Sequence, residues 1–265
     1  VIIDCNCYWG HYPFRRLPNY QASGLIAMLD HNGIDQALVS SLHAVFYRNA
    51  HEGNRELIDD IGAHRDRLWP LATINPKYVG WQADLQEAAE VWRVKGINLW
   101  PNYHGYALSD ELGQAAMAAI NELDLPVVLT QRLEDRRQRH HWDVAEDLTQ
   151  QEVLEAVQAF PTLRIAFCNW IGLDGRKLAQ AGLQGRCLID LARLDLLVRG
   201  SIDALLESLG TDSVSFGSHA PFDYFGPSLV KLSSLIELSK RGNLAPSSVD
   251  KVMFQNAQLF FRLNA

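Results

Sequence analysis

The residues best equipped for chemistry in this 265-residue chain stand just beyond its short apolar runs. Asn6, Tyr8 and Trp9 follow the first run, and His43, Phe46 and Tyr47 the second. Asn98 and Trp100 flank the end of the fourth, with Asn102, Tyr103 and His104 behind them. Thr130, Gln131 and Arg132 follow the fifth, Cys168, Asn169 and Trp170 the sixth, Asp190 and Arg193 the seventh, and His219, Phe222 and Tyr224 the eighth. Most of these are neutral amides and hydroxyls, which hydrogen-bond well but are poor metal ligands and poor proton carriers at neutral pH. His219 is the candidate for acid–base chemistry, because an imidazole changes charge near neutrality. Cys5, Cys7 and Cys168 are the alternative nucleophiles, although no motif marks them as reactive. Four of the seven tryptophans (Trp9, Trp100, Trp142 and Trp170) fall at or soon after these run ends. They are suited to a planar or ring-shaped ligand, or equally to plugging a cavity or lining a subunit interface. Arg132, Arg193 and His219 would make such a pocket receptive to a carboxylate.

The apolar runs are Val1–Ile3, Ala37–Leu42, Leu68–Ile74, Gly96–Trp100, Pro126–Thr130, Leu163–Phe167, Cys187–Asp190 and Val214–Gly217. Short and often β-branched, they read as strands buried on both faces. Helical patterns alternate with them at Gln21–Asn32, Asn54–His64, Val79–Val94, Asp110–Leu123, Thr149–Phe160, Ser201–Leu209 and Pro227–Arg241. Gly33 is placed to close the first helix, and Ser109-Asp110-Glu111 offers an N-cap and acidic residues at the start of the fourth. Repeated β–α units without a composition break predict an α/β fold. Eight of them suit a single closed (β/α)8 barrel with a parallel eight-stranded core and an extra C-terminal helix, one domain over 1–265. An open doubly wound sheet usually announces a GxGxxG turn after its first strand, and Cys5-Asn6-Cys7-Tyr8-Trp9-Gly10 is not one.

Composition bounds the function further. Apolar residues make up 48% and charged residues 21%, the balance of a globular protein with ample core. The formal charge of −7 argues against nucleic acid as a partner. The basic run Arg132–Arg139, interrupted by Glu134 and Asp135, reads as a solvated loop. No apolar run reaches the ~20 residues of a membrane span, and Val1-Ile2-Ile3-Asp4 lacks signal-peptide features. The four cysteines form no CxxC pair, so a reducing, cytoplasmic setting is expected, and a homo-oligomer with it. A metal site assembled from His43, His104, His140, His141, His219 and Cys168 has no supporting spacing, since His140 and His141 are adjacent rather than three or four apart.

The order of several motifs carries a resemblance. Ile2-Ile3-Asp4-Cys5-Asn6-Cys7-Tyr8-Trp9-Gly10 resembles the I-D-x-H-x-H-x-G opening of the amidohydrolase-related metal-dependent hydrolases, which include decarboxylases and lactonases. Gly96-Ile97-Asn98-Leu99-Trp100-Pro101 is similar to their G-I-K-L-x-P, and Phe216-Gly217-Ser218-His219-Ala220-Pro221-Phe222 to their G-S-D-x-P-F. Asn256-Ala257-Gln258-Leu259-Phe260 resembles their closing N-A-x-x-L-F helix, so the match runs nearly the length of the chain. The resemblance implies the barrel. It also implies a divalent metal held by two histidines of strand one, a histidine of strand five and an aspartate of strand eight, assisted by a histidine of strand six. Laid on this sequence those positions are Asn6 and Tyr8, Thr130 (or Gln131), His219 and Asn169, while the strand-four lysine becomes Asn98. The expectation is therefore a barrel that has lost the ancestral metal and needs no cofactor. It would bind a small molecule, of carboxylate or ring-containing type, through Asn6, Tyr8, Asn98, Trp100, Thr130, Asn169 and Arg193. The alternative is an active hydrolase, lactonase or decarboxylase that uses a relocated metal or His219 alone.

Overall fold

Alternate residues of the apolar runs face two different surroundings, and this settles the architecture. In a computed structural model that describes residues 1–194 and 201–263, eight strands form one sheet. They are β1 (Ile3–Trp9), β2 (Gln36–Ser41), β3 (Leu68–Thr73), β4 (Ile97–Asn98), β5 (Val127–Thr130), β6 (Ile165–Cys168), β7 (Cys187–Asp190) and β8 (Val214–Ser215). Neighbours are consecutive and parallel throughout. The barrel closes where the Cys5 and Tyr8 amides donate to Phe216 O (3.0 Å) and Ala220 O (2.8 Å), and the His219 amide to Asn6 O (2.9 Å). The expected span of 1–265 includes 195–200, 264 and 265, which lie outside the described residues.

Ala37, Val39, Val127, Leu129, Ile165, Phe167 and Ile189 pack outward against the helices. Leu38, Val128, Ala166 and Leu188, one position away, fill the interior, as the two-residue period of a strand requires. The extra C-terminal helix, Asn256–Phe261, adds Phe260 and Phe261 to this inner cluster, so the far end of the barrel is packed shut. Burial of each such ring is worth about 2–3 kcal/mol relative to exposure.

The first strand departs from expectation. Instead of ending at Ile3 it runs to Trp9, with a bulge between Asp4 and Cys7. Ile3 and Cys5 belong to the inner cluster, whereas Cys7 and Trp9 belong to the outer one. The bulge thus switches the phase, and Tyr8 joins a third cluster at the barrel mouth. The helix expected from Asn54 begins at Ala50, because the Asn49 side chain accepts from the His51 amide. Gly53 is needed there, since a Cβ would lie 2.3 Å from the Ala44 nitrogen. Gly33 (φ 68°) and Asp110 end and begin their helices as anticipated.

The basic run after β5 is a solvated loop only over Arg136, Arg137 and Gln138, which are exposed. Glu134 and Asp135 are buried, and the run is pinned by ion pairs of Arg15 with Glu134 (2.8 Å), Arg193 with Asp135 (3.1 Å) and Arg132 with Asp147 (2.5 Å). Among the described residues no helix is long and apolar enough to cross a membrane.

Candidate functional site

The C-terminal strand ends bring most of the anticipated residues together. The Asn6 side-chain amide donates to Asp190 Oδ2 at 2.6 Å and lies 3.3 Å from His219 Nδ1. His219 Nε2 is 2.6 Å from the Leu133 carbonyl, which only accepts, so Nε2 carries the proton and Nδ1 receives the Asn6 amide. Burial pushes the imidazole pKa down to about 4, which keeps the ring neutral. His219 and Asn169 are both 0% exposed and both have positive φ (63° and 57°), a conformation held only where surrounding bonds over-determine it.

Asp190 ties the tips of β7, β6 and β1 together. Besides Asn6, its Oδ2 accepts from the Asn169 amide at 3.0 Å, and burial raises its carboxyl pKa to about 6. Asp4, beneath it, accepts from the Asn6 and Ser218 amides and is likewise raised to about 6 by burial. Gly217 makes room for this arrangement, because a Cβ there would lie 2.6 Å from that of Asp190. Asn169 extends the network outward. Its Nδ2 donates to Arg132 O at 2.7 Å, and its Oδ1 accepts from Arg193 Nε at 3.0 Å. Arg193 also pairs with Asp223 at 3.7 Å.

Above this network stands the Tyr8 ring. Its hydroxyl is 3.0 Å from Thr130 Oγ1, and its edge meets the His219 and Phe222 rings at centroid separations of 5.1 and 5.6 Å. Burial drives the phenol pKa well above its ordinary value. Trp100 lies 6.4 Å away on the other side, and Asn98 donates to Ser40 Oγ at 2.9 Å. Arg15, bonded to Glu134 and to the Phe222 carbonyl, covers the ring of Phe222.

The divalent metal that the resemblance implies would need several convergent nitrogen, sulfur or carboxylate donors with free lone pairs. Here Asn6 presents an N–H toward Asp190, His219 has both nitrogens engaged, and Thr130 faces a phenol. Asp190 Oδ1 and Asp4 Oδ2 are unpartnered, but no described histidine or cysteine joins them in a ligand set. Among the described residues no group of three or more His, Cys, Asp or Glu side chains is placed to hold an ion. The donor set at the strand tips therefore does not fit a divalent cation.

A cavity of about 780 Å³ lies to one side, over the loops that follow β4 and β5. Phe14, Phe46, Tyr103 and Trp142 supply rings to its walls, and Asn102, Asp143 and Asp147 supply polar groups. Asp143 Oδ2 accepts from the Tyr12 hydroxyl at 2.9 Å and the Tyr103 hydroxyl at 3.2 Å. Burial, with the nearby Asp143, raises both phenol pKa values far above normal. None of Asn6, Tyr8, Asn98, Trp100, Thr130, Asn169, Arg193 or His219 lines this cavity. Sequence reasoning named Phe46, Tyr103 and Trp142 but missed Asp143 and Asp147. The signal available was the mixture of acidic and apolar residues in Trp142-Asp143-Val144-Ala145-Glu146-Asp147.

No family model and no curated protein matches the sequence. Solved structures do. The chain is similar to 5-carboxyvanillate decarboxylase from Sphingomonas paucimobilis (TM-score 0.71, 13% identity, 98% of each chain covered). It is similar to 2,6-dihydroxybenzoate decarboxylase from Rhizobium (0.70, 15%, 100% of this chain and 99% of that one). A dihydroxybenzoic acid decarboxylase from Polaromonas, solved with manganese and the inhibitor 2-nitroresorcinol, is also similar (0.72, 14%, 100% and 97%). At such identities the likeness establishes the fold: the chain is a parallel eight-stranded barrel of the form these decarboxylases share.

Proposed function

We propose that this protein binds a small molecule at the C-terminal face of its barrel without metal-dependent hydrolysis, and that the side cavity rather than the strand tips receives it. The observation that carries this reading is the mutual engagement of the mouth residues. Asn6 and Asn169 bond to Asp190 Oδ2, Asn6 also meets His219, and Arg193 holds Asn169, with Tyr8 standing over them; of this set Asp190 Oδ1 is left without a partner. A ligand entering there would have to displace buried hydrogen bonds, each costly to leave unmade. The side cavity asks for no such exchange, and its size and aromatic walls suit a small molecule. Asn6, Tyr8, Asn98, Trp100, Thr130, Asn169 and Arg193 then act as scaffold: Tyr8 meets Trp100, and Trp100 meets Tyr103 of the cavity wall at 5.8 Å.

Metal analysis and thermal shift together test this. Protein purified without chelator should hold no stoichiometric zinc or manganese, and added manganese should leave Tm unchanged. A panel of ring compounds should raise Tm, because a ligand that binds only the folded form stabilises it. A stoichiometric divalent ion, or turnover that depends on one, would overturn the proposal.

A second reading is favoured by the fold shared with decarboxylases: decarboxylation, or hydrolysis of an amide or lactone, by His219 acid–base chemistry or a relocated metal. Fold alone does not carry chemistry, and His219 would have to release the Leu133 carbonyl or the Asn6 amide to reach a substrate. Turnover that His219→Ala abolishes while binding persists would establish it.

A further inference from the structure

We infer that the side cavity takes a ring-bearing organic cation, an aryl-alkyl ammonium. This rests on the reading that the cavity is the binding site, and it adds the charge and shape of the occupant. Every charged residue among those described in its walls is acidic. Most of these carboxyl groups already have work to do. Asp147 pairs with Arg132 and Arg136, Asp110 caps the helix Glu111–Glu122, and Glu152 closes a capping box with Thr149. Asp143 is different. It is 4% exposed, its Oδ2 takes two tyrosine hydroxyls, and its Oδ1 is buried with no partner.

Most of the other unpartnered polar atoms of the wall point the same way. Asn102 donates through Nδ2 to the Glu146 carbonyl at 3.0 Å, which fixes the amide and leaves Oδ1 without a donor. Asp147 Oδ1 is also unpartnered, and so is the Tyr106 hydroxyl, which can donate as well as accept. The oxygens of Asp143, Asn102 and Asp147 accept only, so the occupant that completes them must donate. An anion is the wrong partner for such a wall, and an ammonium offers three N–H donors with the matching charge. The rings fit the same ligand. Phe46 meets Phe14 and Tyr103 edge to face at 5.8 and 5.4 Å, and Trp142, 72% exposed, stands at the rim. Ring faces attract cations as well as other rings.

Calorimetric titration of the intact protein with three matched probes tests the inference: 2-phenylethylamine, 2-phenylethanol and 3-phenylpropanoate. The amine should bind at least roughly tenfold more tightly than the alcohol, and the carboxylate not measurably. Asp143→Asn, which keeps an acceptor for the tyrosines, should weaken the amine about tenfold. Trp142→Ala, at an exposed position, should weaken it about threefold with Tm unchanged, which keeps the test sound should Asp143→Asn fail to fold. Equal or tighter binding of the alcohol or carboxylate, lost on Trp142→Ala, would overturn the cation while leaving the cavity in place. Binding of any probe that neither variant alters would overturn both, since the ligand would then sit elsewhere. Failure of all three probes to bind would overturn the cation, and the broader ring panel would then judge the cavity.

Discussion

Two regions at the same end of the barrel bond their polar groups to different extents. At the centre, Asn6, Asp190, Asn169, His219 and Arg193 are linked to one another, with Asp190 Oδ1 and the underlying Asp4 Oδ2 left unpartnered deep in the barrel. A few side chains away, Asp143 shares one oxygen between Tyr12 and Tyr103 and leaves the other unmatched. A cross-linked network stabilises the fold, whereas acceptors without donors in a cavity wall have an interaction still to make. On the function proposed above, the strand tips, where a barrel ordinarily does its chemistry, serve as packing, and recognition falls to the loops.

The largest effect expected from this contrast is on stability. Tyr8 is buried among His219, Phe222 and Trp100, and its hydroxyl reaches Thr130. Tyr8→Ala should cost about 3–5 kcal/mol, as for other large-to-small changes at buried aromatic positions. It would be read as a lower urea midpoint at unchanged slope. Amine binding in the side cavity should survive wherever the variant is folded. Loss of binding with little loss of stability would reverse the roles assigned to the two regions.

A smaller effect concerns pH. Asp4 and Asp190 titrate near 6 in the folded protein because burial disfavours their charge, against roughly 3.9 for an unfolded aspartate. Between those values the folded state holds more protons, so each carboxyl makes stability fall as pH rises from about 4 to about 6. Burial acts oppositely on His219 and His104, both lowered to about 4. There the unfolded chain holds the extra proton, and stability rises as pH climbs from about 4 to about 6.5. The contributions largely cancel, and the wild-type profile should be shallow. Asp190→Asn removes one falling contribution, so its stability should gain about 2–3 kcal/mol more than wild type's between pH 4 and 6.5. Urea unfolding at the two pH values gives the comparison. An unchanged profile would mean that water reaches Asp190 and that the mouth is open.

How far the sequence foretold this differs between regions for a physical reason. Strand phase is a local property, and the alternation of Val127, Val128 and Leu129 is enough to assign inner and outer faces. In β1 the polar Asp4 and Asn6 disguise a strand as a loop, and a bulge resets the period midway. That Asn6, Asn169 and His219 meet followed from their places at strand ends. That Asn6 would use its amide on Asp190, 184 positions away, and face His219, 213 away, depends on closure of the barrel. The charges after β5 misled for the same reason. Glu134 is buried because Arg15, 119 positions away, comes to meet it.

The smallest expected effect bears most directly on the cavity. Trp142 and Val144 are 72% and 77% exposed, on the segment whose Asp143 is buried. Large apolar groups held in water beside a cavity cost little to remove if they serve only the fold. Trp142→Ala should therefore change the unfolding free energy by less than about 0.5 kcal/mol, as for surface positions away from core, cap or charge network. His140 and His141 meet its ring edge to face at 5.4 and 5.5 Å and do not depend on it for burial, since neither is buried. A loss of stability above about 1 kcal/mol would show that the indole supports the loop itself. The cavity would then be, like the mouth, a packed feature of the barrel end, and the contrast between the two regions would disappear.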